Sequence, residues 1–392
     1  MQRTAAPTGA EQGGRFQMEQ VRAALVGFGG MGRKYAVMIR DGEIDGMVLA
    51  GVCCRNAPGQ QTLREEFPGV AIYRDVTDAL AHADEFDAVL IVTPHTSHVE
   101  IARQMVAAGK HILLDKPAGV YARQVRELVD MADAAGVSFG MIFNNRANAA
   151  FVKARELLQS GAVGTPVRAV WVCNTWFRTP AYHKSAPWRS SWNGEGGGLL
   201  INQSQHYLDL WQWLLGAPDA VYADLSFGRY APITVDDAVD IQFLYDNGLH
   251  GTFISSTGEA PGVNRLEIWG DKGRLCVENM TRVFLDENEM STTRFAAENT
   301  QVYGELPHHV REIPVEANPE MYQTILRGFC GHLRKGTSMV ADGTDGLRAV
   351  ELTNAAYVSA WMERKVRLPV DSTVFEELLH KKMEEEQSGF LH

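Results

Sequence analysis

The hexapeptide Gly27-Phe28-Gly29-Gly30-Met31-Gly32 is the first stretch of this 392-residue chain with the residue types and spacing for chemistry. It follows the apolar run VRAALV and opens a helical stretch, the context in which a GxGxxG turn holds the pyrophosphate of a dinucleotide. Gly27 would permit the tight turn and Gly29 a close approach of backbone to phosphate. Gly32 would let the helix pack tightly on the strand, with its N-terminus facing the negative charge. About 20 residues on, where NAD-binding units usually place an acid for the ribose 2′-hydroxyl, stand Cys54 and Arg55. Nothing there repels a 2′-phosphate. Arg55 could pair with one, stack on the adenine, or be a surface arginine at a strand end, so the pattern admits NADP as readily as NAD.

Two further groups could move protons. The run HILLD ends in Asp115, Lys116 and Pro117. A lysine at the carboxyl end of a parallel strand, beside the dinucleotide crevice, can donate to a substrate hydroxyl and lower its pKa. Later, Gly196-Gly197-Gly198 leads into a predicted helix that carries Asn202 and His206. Four residues apart, these share a helical face and can address one ligand. Asp209 lies on nearly the same face and would either orient the imidazole or serve as a helix-surface acid. Between the groups, the loop from Tyr182 and His183 to Trp188 and Arg189 is aromatic and basic, suiting the apolar faces and hydroxyls of a sugar ring. His95 with His98, and His308 with His309, lack further ligands at site-like spacing, so no metal is expected. No GxSxG nucleophile motif is present.

The elements that must position these residues alternate in the first third of the chain. Val21 to Cys54 reads as strand, turn, helix and strand. DAVLIVT, a helix around VEIARQMVAAG, the strand HILLD and a helix from Ala122 to Ala135 closed by Gly136 continue the pattern. Alternation of this kind predicts an α/β fold, with a doubly wound parallel Rossmann sheet over residues 20–143. After Asn144 come helices at Ala149–Gln159 and up to Leu215. The strands AVYADLSF, AVDIQFLY, LHGTFISST, RLEIWG and RLCVEN follow, with turn signals at Asp246-Asn247-Gly248 and Asp271-Lys272-Gly273. An α+β domain with a large open antiparallel sheet is expected over residues 144–374, including helices at Pro319–Lys335 and Asp345–Arg364. FEELLHKKMEEE reads as a solvated helix in a charged tail, residues 375–392, and residues 1–19 as a disordered extension or tag.

Composition narrows the partners. The chain is 45% hydrophobic with net charge −11 from 37 basic and 48 acidic residues. The acidic balance argues against nucleic acid and anionic membrane and favours a small molecule. Five scattered cysteines and no signal or spanning segment point to a soluble, reduced, cytoplasmic protein.

Taken in order, the glycine turn, Thr93-Pro94-His95-Thr96-Ser97-His98, Leu114-Asp115-Lys116-Pro117 and GEGGGLLINQSQHYLDLWQWL resemble the Gfo/Idh/MocA family. Its namesakes are glucose-fructose oxidoreductase, inositol dehydrogenase and the rhizopine-catabolism protein. The resemblance runs from about Val21 to Asp371. It implies that Thr93, Pro94, His95, His98 and Asp115 border the cofactor, that Lys116 touches substrate and nicotinamide, and that His206 is the acid/base. Where the family usually has Glu-Lys-Pro, this chain has Asp115. Where it usually has an Asp before the His, this chain has Asn202, an amide that cannot exchange protons. Asn144 and Arg146 match the family's Asn-x-Arg and would touch substrate or staple the domains. The implied reaction is hydride transfer between NAD(P) and a secondary hydroxyl of a sugar, glycoside or cyclic polyol, with His206 taking the proton. Alternatives are a glycosidase that recycles bound NAD through a transient keto-sugar, and a non-catalytic dinucleotide or sugar sensor. The family also associates through its open sheet, which implies a homo-oligomer, dimer or tetramer.

Overall fold

The computed structural model describes residues 18–389. The expected N-terminal extension lies outside them apart from Met18 and Glu19. Six short apolar strands form the first sheet: β1 (Val21–Val26), β2 (Met47–Cys53), β3 (Ala71–Tyr73), β4 (Ala88–Ile91), β5 (His111–Asp115) and β6 (Phe139–Ile142). All neighbours run parallel, in the order β3-β2-β1-β4-β5-β6. The order reverses between β1 and β4, and ligand crevices of doubly wound sheets open at the carboxyl ends of strands at such a point. Apolar side chains fill both faces, as a sheet covered twice by helices requires.

The second sheet has nine strands: β7 (Pro166–Cys173), β8 (Ala220–Phe227), β9 (Asp236–Leu244), β10 (His250–Ser256), β11 (Asn264–Gly270), β12 (Gly273–Glu278), β13 (Arg282–Asn288), β14 (His308–Ile313) and β15 (Val366–Arg367). Their order is β14-β13-β12-β11-β7-β10-β9-β8-β15. The expected antiparallel pairing holds except at the centre, where β7 and β10 run parallel. A parallel pair needs a crossover, and the long loop, the helix Gln205–Leu215 and the β8–β9 hairpin supply it. Burial alternates along β7, where Ala169, Trp171 and Cys173 are covered and Val170 and Val172 are partly open. Trp171 is wedged between Phe151 and Tyr207, with ring centroids 5.3 and 5.1 Å apart, so the helices Ala149–Gln159 and Gln205–Leu215 cover one face.

Two boundaries differ from the sequence reading. The chain does not stay in the second half up to residue 374. The helix Met321–Lys335 returns to the first sheet, burying Ile325, Leu326, Phe329, Cys330 and Leu333 among Leu25, Leu90, Leu113 and Ile142. The helix Gly343–Met362 then joins both cores. Leu347, Ala349 and Val350 pack with the first sheet, while Leu352, Ala355, Ala356 and Tyr357 pack with the second. Periodicity announces such a helix but not its partner. Nor is the charged tail free. Ser372–Gln387 is a helix with Phe375 and Leu379 buried in the second core. Glu386 accepts hydrogen bonds from the backbone N–H of Trp192 and Asn193, both at 3.0 Å, and from the Thr234 hydroxyl at 2.6 Å.

Candidate active site

Two glycines of the turn are sterically required. Gly27 has φ +104°, and a Cβ there would stand 2.6 Å from the Val92 carbonyl oxygen. A Cβ on Gly32 would fall 2.0 Å from the Gly27 carbonyl oxygen. Gly29 and Gly30 face open space, with nothing within 4 Å of a would-be Cβ. The helix Gly30–Arg40 has no acid in its first turn and no side-chain cap. Its N–H groups and positive dipole end are therefore free to meet an anion, and the residues present fit a pyrophosphate.

The turn forms one wall of a cleft of about 1070 Å³ at the reversal point, which Phe28, Met31, Arg55, Thr93, Pro94, His95, His98, Asp115 and Lys116 also line. Cys54 borders it but is buried, its thiol turned toward the Asn56 carbonyl at 3.7 Å. Arg55 is exposed and makes no hydrogen bond or ion pair among the described residues. Asp75, Thr77 and Gln104 also border the cleft. Sequence reading missed Asp75 and Thr77 because β3, just before them, is only three residues long and gives no periodicity to read.

The ends of β4 and β5 are tied together. The Ser97 hydroxyl donates to the Pro94 carbonyl oxygen at 2.7 Å, and the His98 ring bridges the Thr93 and Pro117 carbonyl oxygens at 2.7 Å each. Asp115 accepts the Lys116 backbone N–H at 2.8 Å, which orients the lysine. The Lys116 ammonium reaches the second domain, donating to the Asn202 backbone oxygen at 2.8 Å and to its Oδ1 at 3.0 Å. Burial lowers the Lys116 amine, against the pull of Asp115 and Glu195. From the second domain, Trp188, Arg189 and Asn202 complete the cleft wall.

Asn202 is not on the helix with His206. The helix starts at Gln205, and Asn202 sits in the irregular turn before it. Asp236 dictates that turn by accepting the backbone N–H groups of Gly198 at 2.8 Å and Leu200 at 2.6 Å. The glycine run is there for contact, since a Cβ on Gly197 or Gly198 would lie 2.1 Å from the Tyr357 hydroxyl or the Asp236 carbonyl oxygen. His206 is the second residue of the helix, and its Nδ1 has no hydrogen-bond partner among the described residues. Burial, and then the Lys116 charge, push its pKa well below the ordinary histidine value, leaving a neutral imidazole.

The other expected residues are placed as follows. Asp209 does not orient His206; it is buried against Arg146 in a two-pronged pair at 2.6 and 2.9 Å. Arg146 also donates to Asp345 at 2.7 Å and to the Val340 carbonyl at 3.1 Å. With all three guanidinium nitrogens bonded and the side chain 4% exposed, Arg146 is placed as a staple would be. Tyr182 and His183 line a smaller hollow behind Asn202. There the Tyr182 hydroxyl accepts from Arg189 at 2.7 Å and from Gln203 at 2.8 Å. Asn144 is buried outside both spaces, its Oδ1 without a hydrogen-bond partner among the described residues. Sequence reading also missed Glu195, a buried acid inside the glycine-rich run, beside Asn202.

Residues 21–143 match the family model described as an oxidoreductase family with an NAD-binding Rossmann fold, and residues 151–276 match the GFO/IDH/MocA C-terminal domain. An inositol 2-dehydrogenase of Rhizobium meliloti is 25% identical over 364 residues, covering 89% of this chain and 99% of that protein. Among solved structures, the WlbA dehydrogenase from Bordetella pertussis, in complex with NADH and UDP-GlcNAcA, has TM-score 0.74 at 24% identity, covering 90% of this chain and 100% of that one. A levoglucosan dehydrogenase with NADH and levoglucosan has TM-score 0.76 at 19% identity, covering 89% and 100%. Among the described residues no helix is long and apolar enough to cross a membrane.

Proposed function

The chain belongs to the Gfo/Idh/MocA oxidoreductases and carries their NAD-binding Rossmann domain, and from that premise we propose that it oxidises a secondary hydroxyl of a cyclic polyol, sugar or glycoside. The observation that carries the reading is Lys116. Its ammonium stands at the carboxyl end of β5, on the wall of the cleft that holds the glycine turn, and is tethered to the second domain through Asn202. Relatives that are inositol and levoglucosan dehydrogenases support the substrate class.

When bound, the dinucleotide would supply the hydride acceptor. Lys116 donates a hydrogen bond to the substrate oxygen and stabilises the negative charge that grows on it as the C–H bond breaks. His206, a neutral imidazole, is assigned the hydroxyl proton. Trp188 and Arg189 supply an apolar face and hydroxyl-directed donors on the substrate side. Cofactor reduction is followed by absorbance with NAD and NADP against a panel of inositols, sugars and glycosides. Lys116→Ala and His206→Ala should each lower turnover about 10²- to 10⁴-fold while binding the dinucleotide as the unaltered protein does. Near-normal turnover by either variant overturns the assignment.

A further inference from the structure

We infer that Glu195 is a positioning residue for Lys116, acting through Asn202, so that the two side chains together serve as one carboxylate would at position 202. The kinetic part of this inference rests on the dehydrogenase reading; its structural part does not. Glu195 is 1% exposed, and each of its oxygens has a task. One accepts the Ser190 backbone N–H at 2.6 Å, where the chain takes a left-handed turn at φ +55°, and so fixes the loop that carries Trp188 and Arg189. The other accepts from Asn202 Nδ2.

The two ends of an amide have nearly the same shape, so chemistry alone orients this one. A carboxylate only accepts and an ammonium only donates. Glu195 therefore holds the Nδ2 end, and Oδ1 is left facing the Lys116 ammonium at 3.0 Å. An aspartate at position 202 would instead set two carboxylates in contact, and one would have to take a proton. Asn202 and Glu195 are thus a matched pair, with one negative charge shared across two positions. Charged and titratable groups facing Lys116 are Asp115 on its own strand, His95 and His98 after β4, Arg178, Arg189 and Glu195 from the loop region, and His206. Glu195 and Asp115 offset the two arginines, and removing Glu195 leaves the ammonium less well held.

The test is competitive acetylation of the Lys116 amine across pH, read by mass spectrometry on the full chain. Wild type, Glu195→Gln, Asn202→Asp and the double variant are compared, with near-ultraviolet circular dichroism to verify folding. In Glu195→Gln the Lys116 midpoint should fall by about one pH unit, a tenfold change in proton affinity, and the double variant should regain it. Polyol turnover should drop about tenfold in Glu195→Gln with KM little changed, and recover in the double variant. An unmoved midpoint overturns the inference whatever the turnover. A midpoint that moves in a protein unable to oxidise any polyol supports this inference and overturns the dehydrogenase reading. Should Glu195→Gln not fold, the double variant must titrate more like wild type than Asn202→Asp does, or the inference fails.

Discussion

Replacing Arg146 by methionine separates a staple from a substrate contact, because the two roles lose different things. The guanidinium is buried and compensates Asp209, itself 2% exposed, at 2.6 and 2.9 Å, with Asp345 at 2.7 Å on its other side. Burial pushes the Asp209 carboxyl up to about 6, and Arg146 pulls the other way. Without the arginine that pull is gone and the folded-state pKa climbs further. A carboxyl whose folded pKa exceeds its unfolded value of about 3.9 gives its full stabilisation below that value, and loses it as pH rises through the folded pKa. The slope is about 1.4 kcal/mol per unit over the window. In wild type this loss is complete a little above pH 6, so the deficit of Arg146→Met should widen above about pH 6 and reach about 3–5 kcal/mol, the cost of orphaning one partner of a buried pair. Urea midpoints at three pH values, followed by tryptophan fluorescence with Trp213 beside the arginine, measure it. Arg146→Met/Asp209→Leu should recover most of the loss. A midpoint unchanged at every pH, with KM raised tenfold or more, would show that Arg146 binds substrate and refute the reasoning.

Because His206 is held neutral, kcat/KM should stay level as pH falls through about 6.5, where a free imidazole protonates, with its acid limb lower; a limb at or above that value is incompatible with the neutral base. His95 is depressed in the same direction by burial, so below about pH 6.5 the unfolded chain binds more protons than the fold and the urea midpoint should decline with acidification. Arg55→Ala should weaken NADP by about tenfold or more, the loss of one charge-assisted hydrogen bond, and leave NAD unchanged; equal effects on both would assign Arg55 to adenine stacking. Phe375→Ala removes a ring that is 1% exposed and should cost about 3–5 kcal/mol of local packing, seen as proteolysis within Ser372–Gln387; resistance equal to wild type would mean that the helix is anchored by other contacts.

The first sheet was legible because parallel strands buried on both faces are short apolar runs and the glycines between them are sterically compelled. Lys116 was legible for the same reason, since the end of a strand fixes where its next side chain stands. What stayed hidden depended on distant partners. Nothing local distinguishes Asp209 as the mate of Arg146, 63 residues away, from an orienting acid beside His206. The i, i+4 spacing of Asn202 and His206 suggested a shared helical face, but Asp236 captures the Gly198 and Leu200 amides and delays the helix to Gln205. Likewise the charged run Phe375 to Glu386 looks solvated only until Phe375 and Leu379 find the second core.

These hidden contacts share a purpose that follows from where the proposed chemistry sits. Lys116 belongs to the first domain, while Asn202 and His206 belong to the second, so their distances depend on how the two domains are joined. A hydrogen bond of 2.8–3.0 Å between Lys116 and Asn202 tolerates displacement of only about 0.5 Å before catalytic geometry suffers. A flexible linker would not hold that tolerance. This chain crosses the boundary repeatedly instead: the helix Met321–Lys335 returns to the first sheet, the helix Gly343–Met362 is buried in both cores, and Arg146 pairs with Asp209 and Asp345. The buried ion pair is therefore best understood as register, setting where one domain stands relative to the other, and removing one partner costs more stability than replacing both with apolar side chains.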